Sequence, residues 1–229
     1  MKEIYYEIHG KGYPILMLHG NGETHKIFAQ LVSDLEDKYQ CVCIDTRYHG
    51  KSVKQGELSY EQFSKDVKGV VDELGFEEYD VIGFSDGAII SLLLEDKRLK
   101  HMVLIGPNSK KEGVKLLYRF NNYLMLVCLL PFCIYDKRMR VRWRLIKLME
   151  TMKPINQKVL NNIRIPTLIL SGENDMIKAS DIEYIYENIE FSVSKMIKNG
   201  NHFLLGEFYD ETFREIDLFL KACHEEDEL

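Results

Sequence analysis

Gly83-Phe84-Ser85-Asp86-Gly87 stands directly between the apolar run Tyr79–Ile82 and a second apolar segment, Ala88–Leu94. A Gly-x-Ser-x-Gly pattern alone is a weak signal; its place at the junction of a strand and a helix gives it weight. A serine on so sharp a turn is forced into strained backbone angles. Glycines two residues to either side leave room for the neighbouring chain. The result is an exposed hydroxyl at a helix N-terminus, where backbone N–H groups face developing negative charge. The alternative is a tight turn with an incidental serine.

Outward from this turn, short apolar runs alternate with longer amphipathic segments. Ile4–Ile8, Pro14–Leu18, Cys41–Ile44, Asp80–Phe84, Met102–Ile105 and Thr167–Leu170 read as strands, most of them continuous enough for burial on both faces. Phe191–Ile197 alternates more and belongs nearer an edge. Helices are expected at about 25–36, 59–74, 87–94, 179–188 and 207–222. Ser59 followed by Gln62 resembles a capping box, and Gly75 sits where a helix stop is expected. Strands alternating with helices predict the α/β class: a mostly parallel central sheet with helices on both faces. After Gly106-Pro107 the alternation breaks. Residues 108–162 are helical, basic and rich in Met, Leu and aromatics, whereas 1–107 and 163–229 form the core. Such an insertion is expected to lie over the strand ends as a cap, because ligands on open parallel sheets bind at the carboxyl edge.

A serine hydroxyl is a weak nucleophile without a base. His202, in Asn199-Gly200-Asn201-His202-Phe203, leaves the last strand toward the edge that carries Ser85. His9, His25, His101 and His224 lack such a context. The third member must accept the other ring N–H and fix the tautomer. Ser171-Gly172-Glu173-Asn174-Asp175 follows a buried strand; Asp175 is the choice and Glu173 the fallback. Serine, acid and histidine then follow in that chain order.

His19-Gly20-Asn21-Gly22 resembles the oxyanion loop of the α/β-hydrolase superfamily. Asp45-Thr46-Arg47-Tyr48-His49-Gly50-Lys51-Ser52 resembles that family's Asp-x-Arg-Gly-His-Gly-x-Ser segment, with Tyr48 in place of the usual glycine. The resemblance covers all but the insertion, which matches a cap only by its place. It implies a serine hydrolase whose oxyanion hole uses the backbone N–H groups of Asn21 and Asp86. The elbow is also similar to that of valacyclovirase-like hydrolases, where the corresponding aspartate receives the α-amino group of amino-acid esters. An Asp86 that merely favours the helix dipole is the simpler alternative.

The expected activity is carboxylic-ester hydrolysis through an acyl-serine intermediate, on a small to medium substrate touching Asp86, Phe84 and Trp143. Amide, thioester or carbon–carbon bond hydrolysis uses the same residues, and a non-enzymatic small-molecule receptor is the rival class. No metal or organic cofactor is implied, since no His/Cys/carboxylate spacing or phosphate loop occurs. The net charge of −6 disfavours nucleic acid. The charged N-terminal stretch and five cysteines without ligand spacing predict a reduced, cytoplasmic protein, with Cys41 and Cys43 in the core. The longest apolar stretch, Tyr123–Tyr135, is broken by Pro131, falls short of a membrane span and is expected over the active site. Between Lys110 and Lys158 twelve Lys or Arg face three acids, a local net of +9 that leaves −15 for the rest. Lys137, Arg140, Arg144 and Lys147 share one helical face. That face is either solvated or attracts an anionic partner: an acyl carrier protein, a phosphorylated ester or an anionic membrane.

Overall fold

The computed structural model describes residues 3–226. Met1, Lys2 and residues 227–229 lie outside that description. Seven strands form one sheet: β1 (Tyr5–His9), β2 (Tyr13–Leu18), β3 (Tyr39–Asp45), β4 (Tyr79–Phe84), β5 (Leu99–Ile105), β6 (Thr167–Gly172) and β7 (Ser192–Ile197). Their order is β1-β3-β2-β4-β5-β6-β7. Only β1 runs antiparallel, against β3; every other pairing is parallel.

Both faces of this sheet are covered, which explains the unbroken apolar runs in the sequence. Successive residues of a strand point to opposite faces. Leu16 and Leu18 therefore join one core layer, with α2 (Tyr60–Leu74), α3 (Asp86–Leu92) and α7 (Ala179–Asn188). Ile15, Met17, Cys41 and Cys43 join the other, against α1 (Ala29–Leu35) and α8 (Tyr209–Glu226). β7, covered less well, lies at the sheet's edge as its alternating pattern predicts. The Ser59 side chain caps α2 by accepting from the Gln62 N–H, and Gly75 closes the helix at φ 68°. The Gln62 side chain turns instead to Asp66 (2.9 Å), so only half of a capping box forms.

The segment between β5 and β6 holds α4 (Leu116–Leu129), a 3₁₀ stretch (Leu130–Ile134), α5 (Lys137–Glu150) and α6 (Gln157–Asn161). Its entry is fastened to the core: Ser109 donates through its N–H and hydroxyl to the two Asp181 oxygens, each at 2.7 Å. The Lys115 N–H reaches the Met176 carbonyl, and the Lys178 N–H reaches that of Gly113. Leu145, Leu148, Met152, Ile155 and Leu160 extend the core layer shared with α2.

Two expectations for this segment fail. α4 begins seven residues before Tyr123, so Leu116–Ile134 forms a nineteen-residue helical stretch. It is the one such stretch among the described residues long and apolar enough to cross a membrane by length and composition. The apolar run also points away from the sheet. No residue of α4 or of the 3₁₀ stretch is buried, and Tyr135 is 90% exposed.

Candidate active site

The turn after β4 has the strain its sequence predicts. Ser85 adopts φ 53° and ψ −114°, an uncommon conformation for a residue with a Cβ. A Cβ on Gly83 would come within 2.5 Å of the Gly87 carbonyl oxygen, and one on Gly87 would overlap the carbonyl of Leu18. Gly83 is therefore required by the close approach of α3 to β4 and Gly87 by that of α3 to β2, and Ser85 is held at the carboxyl edge of the sheet.

His202 arrives in the loop after β7, and Asp175 in the loop after β6. The His202 Nε2 lies 2.9 Å from the Ser85 Oγ, and its Nδ1 lies 2.8 Å from the Asp175 Oδ1. Asp175 is fully enclosed; the Ile177 N–H also donates to its Oδ1 at 2.8 Å. Glu173, the fallback acid, instead accepts from the Asn199 N–H at 2.8 Å and braces the loop that carries His202. The sequence reading overlooked Gly106, which follows β5 at φ 60°. A Cβ there would sit 2.7 Å from the His202 Cε1 and 2.9 Å from its Nδ1, so this glycine makes room for the imidazole. Its signal in the sequence was a Gly-Pro pair directly after a buried strand.

Asn21 and Asp86 meet beside Ser85. The Asn21 amide donates to the Asp86 Oδ2 (2.9 Å) and to the Leu145 carbonyl of α5 (3.2 Å), while the Tyr60 hydroxyl donates to the Asp86 Oδ1 (3.0 Å). Burial pushes the Asp86 carboxyl up to about 6, against the opposing pull of these two donors. Burial also raises Glu23, whose carboxylate accepts from the Gly20 N–H at 3.0 Å. Deeper in the same loops, desolvation lowers His19 to about 4 and His49 to about 3. The Nε2 of each accepts a backbone N–H, Thr46 at 3.1 Å and Gly22 at 3.0 Å, which requires the neutral imidazole. Tyr48 takes up φ 71°, the left-handed geometry that the family's usual glycine adopts freely.

A cavity of about 120 Å³ lies over Ser85 and Asp86, closed from above by Tyr118, Asn121, Asn122 and Met149. The roof is thus the more polar side of α4, not the apolar run expected there. Two further expectations need correction. Phe84 is buried and packs beneath the His202 ring, with centroids 5.2 Å apart, rather than lining the cavity. Trp143 joins α5 to α4 through its indole N–H, which donates to the Leu126 carbonyl (3.0 Å), and it too is absent from the cavity wall.

At the opposite end of the sheet the fold gathers Asp80, His101 and His224, residues the sequence left without a context. The Asp80 Oδ1 lies 2.8 Å from the His101 Nδ1, and its Oδ2 lies 3.0 Å from the His224 Nε2. The three offer ligand atoms within 4.8 Å of one another and could hold a metal ion. As they stand, those atoms are engaged in hydrogen bonds that fasten the last turn of α8 to β4 and β5.

Residues 13–126, which include the serine turn, match a family model for the α/β hydrolase fold. The chain belongs to the α/β-hydrolase fold superfamily. Among curated relatives of this α/β hydrolase is the RutD protein of Azorhizobium caulinodans, 28% identical over 48% of this chain and 43% of that protein. The chain thus spans less than half the length of that relative. Human serine hydrolase BPHL is 24% identical over 96% of this chain and 83% of its own. An esterase from Exiguobacterium antarcticum shares the fold with a TM-score of 0.80, at 18% identity over 95% of each chain.

Proposed function

We propose that the chain is a serine hydrolase that cleaves carboxylic esters through an acyl-serine intermediate, with Ser85 as nucleophile, His202 as general base and Asp175 as orienting acid. The observation that carries this reading is the unbroken hydrogen-bonded relay Ser85–His202–Asp175 beneath a cavity. Asp175 holds the Nδ1–H tautomer, which leaves the Nε2 lone pair aimed at the serine hydroxyl. As Ser85 Oγ attacks the ester carbon, its proton passes to Nε2, and the Asp175 carboxylate stabilises the imidazolium that results. His202 then returns the proton to the departing alkoxide oxygen. A water molecule, deprotonated by Nε2, attacks the acyl-serine, and the collapse of that adduct restores the Ser85 hydroxyl.

The tetrahedral adducts place negative charge on the former carbonyl oxygen. The backbone N–H groups of Asn21 and Asp86 are the proposed donors, and loss of one such donor costs roughly 10²–10³ in turnover. Asp86 begins α3, where an N–H has no partner within its own helix. The Asn21–Asp86 side-chain bond pins together the two loops that carry these donors. Both Asp86 oxygens already accept hydrogen bonds, which supports a role as a brace more than as a free anion awaiting an amine.

Turnover of p-nitrophenyl acetate and labelling by a fluorophosphonate probe test the assignment. Ser85→Ala is expected to abolish labelling and to lower kcat/KM at least about 10³-fold. Labelling that persists in Ser85→Ala would remove Ser85 as nucleophile. A folded wild-type protein inert to the probe and to a panel of esters would favour the binding-module class instead.

A further inference from the structure

Helix α4 is amphipathic in the reverse of the usual sense. Its inner side carries Arg119 and Asn122, which reach Glu150 of α5 at 3.8 and 2.9 Å. On the outer side Leu117, Phe120, Leu124 and Val127 recur at helical spacing and are each more than half exposed. The 3₁₀ stretch continues this surface with Leu130, Phe132 and Ile134. No aspartate or glutamate occurs between 113 and 135. An apolar face of this length left in water marks a surface that something covers.

Charge identifies the occupant. α5, which follows directly, exposes Lys137, Arg138, Arg142 and Lys147. Arg140 donates to the carbonyls of Cys133 (2.8 Å) and Ile134 (3.1 Å), which sets a guanidinium at the rim of the apolar face. Exposed Tyr123 and Tyr135 supply amphipathic rings at the same surface. A second copy of this chain would bring the same cationic segment against itself, a like-charge juxtaposition. An apolar face with the Arg140 guanidinium at its rim, two tyrosines on it and a cationic helix directly after it fits the headgroup–acyl boundary of an anionic bilayer.

We propose that the outer face of α4 and the adjoining 3₁₀ stretch seats in the interface of an anionic phospholipid membrane, lying along the surface. Length and composition would allow a span, but the topology does not. β5 and β6 are neighbours in one sheet, so the chain must return to the side it left. The helix available for a second crossing is α5, with its six Lys and Arg. The proposal is independent of the role given to Ser85.

The test uses the full chain, with co-sedimentation on vesicles of phosphatidylcholine alone and of phosphatidylcholine with about one third phosphatidylserine. Binding to the anionic vesicles is expected at least about 100-fold tighter than to the neutral ones, and salt should weaken it. Phe120→Glu with Val127→Glu should remove binding to both vesicles. Lys137→Gln with Arg138→Gln should weaken binding to the anionic vesicles about 30-fold, at about fivefold per charge, and leave the neutral ones unaffected. Circular dichroism and the thermal midpoint establish that each variant is folded. Ser85→Ala should bind as the wild type does. No partition onto anionic vesicles, or equal partition onto both kinds, overturns the proposal. So does self-association that Phe120→Glu abolishes in a protein that ignores vesicles.

Discussion

Two single residues at the site make the sharpest predictions. Gly106 leaves the space that the His202 ring occupies, so Gly106→Ala must push the imidazole aside or shift the turn after β5. A displacement of about 1 Å costs on the order of 10²-fold in turnover. The variant is expected to keep its fold and lose about that much kcat; wild-type activity in a folded Gly106→Ala would show that His202 tolerates displacement. Asp86 sets a pH dependence. Unfolded, its carboxyl ionises near 3.8, whereas folded it holds its proton until about 6. Between these values the folded state binds the extra proton, so stability falls as pH rises through that window. Asp86→Asn removes the ionisation. Relative to this variant, the wild type should lose about 2 kcal/mol of unfolding free energy between about pH 4 and pH 7, read from urea titrations. A difference that stays flat with pH would sink this account. Ser85 and its glycines were legible in the sequence because the strain of one turn is a local property. Gly106 and the Asn21–Asp86–Tyr60 contacts were not, because each joins chain segments that only the folded topology brings together.

At the scale of elements, the strands were legible because a sheet buried on both faces needs runs that are apolar without alternation, and little else in a chain looks like that. Even the edge position of β7 followed from its alternation. The direction of α4 was not legible. Hydrophobic spacing shows which side chains share a face, and the rule that such a face turns inward failed here. The inward polar residues, Arg119 and Asn122, were the available hint. The loops after β2 and β3 act as one unit, joined by His19 and His49. Both rings stay neutral when folded, but in the unfolded chain they take up protons near their usual value of about 6.5. The unfolded state therefore binds more protons below that pH, and stability is lost as pH falls from about 6.5 toward 4. The Asp86→Asn background lacks the opposing carboxyl, and there the loss should approach about 2–3 kcal/mol per pH unit. Chemical denaturation across that range measures it, and constant stability from pH 7 to about 5 would mean that the imidazoles are not held neutral.

Over the whole molecule, charge and apolar surface divide along the chain. The core segments carry the negative excess, and the stretch between Lys110 and Lys158 carries +9. That division was plain in the sequence, whereas the reason for it depends on which way the insertion faces. Contacts between distant residues, such as those of Asp80 with His101 and His224, leave no trace in spacing and had to await the fold.

None of Ser85, Asp175, His202, Asn21 or Asp86 lies between 109 and 162, a stretch fastened at its entry by Ser109, Gly113 and Lys115 and packed onto the core through Leu145, Leu148 and Leu160. The proposed reacting groups and the proposed membrane face therefore lie on separate pieces of one polypeptide. Descendants of this chain can revise where the protein settles, or what it admits, by rewriting the insertion alone, while the sheet that aligns the reacting groups is inherited unaltered.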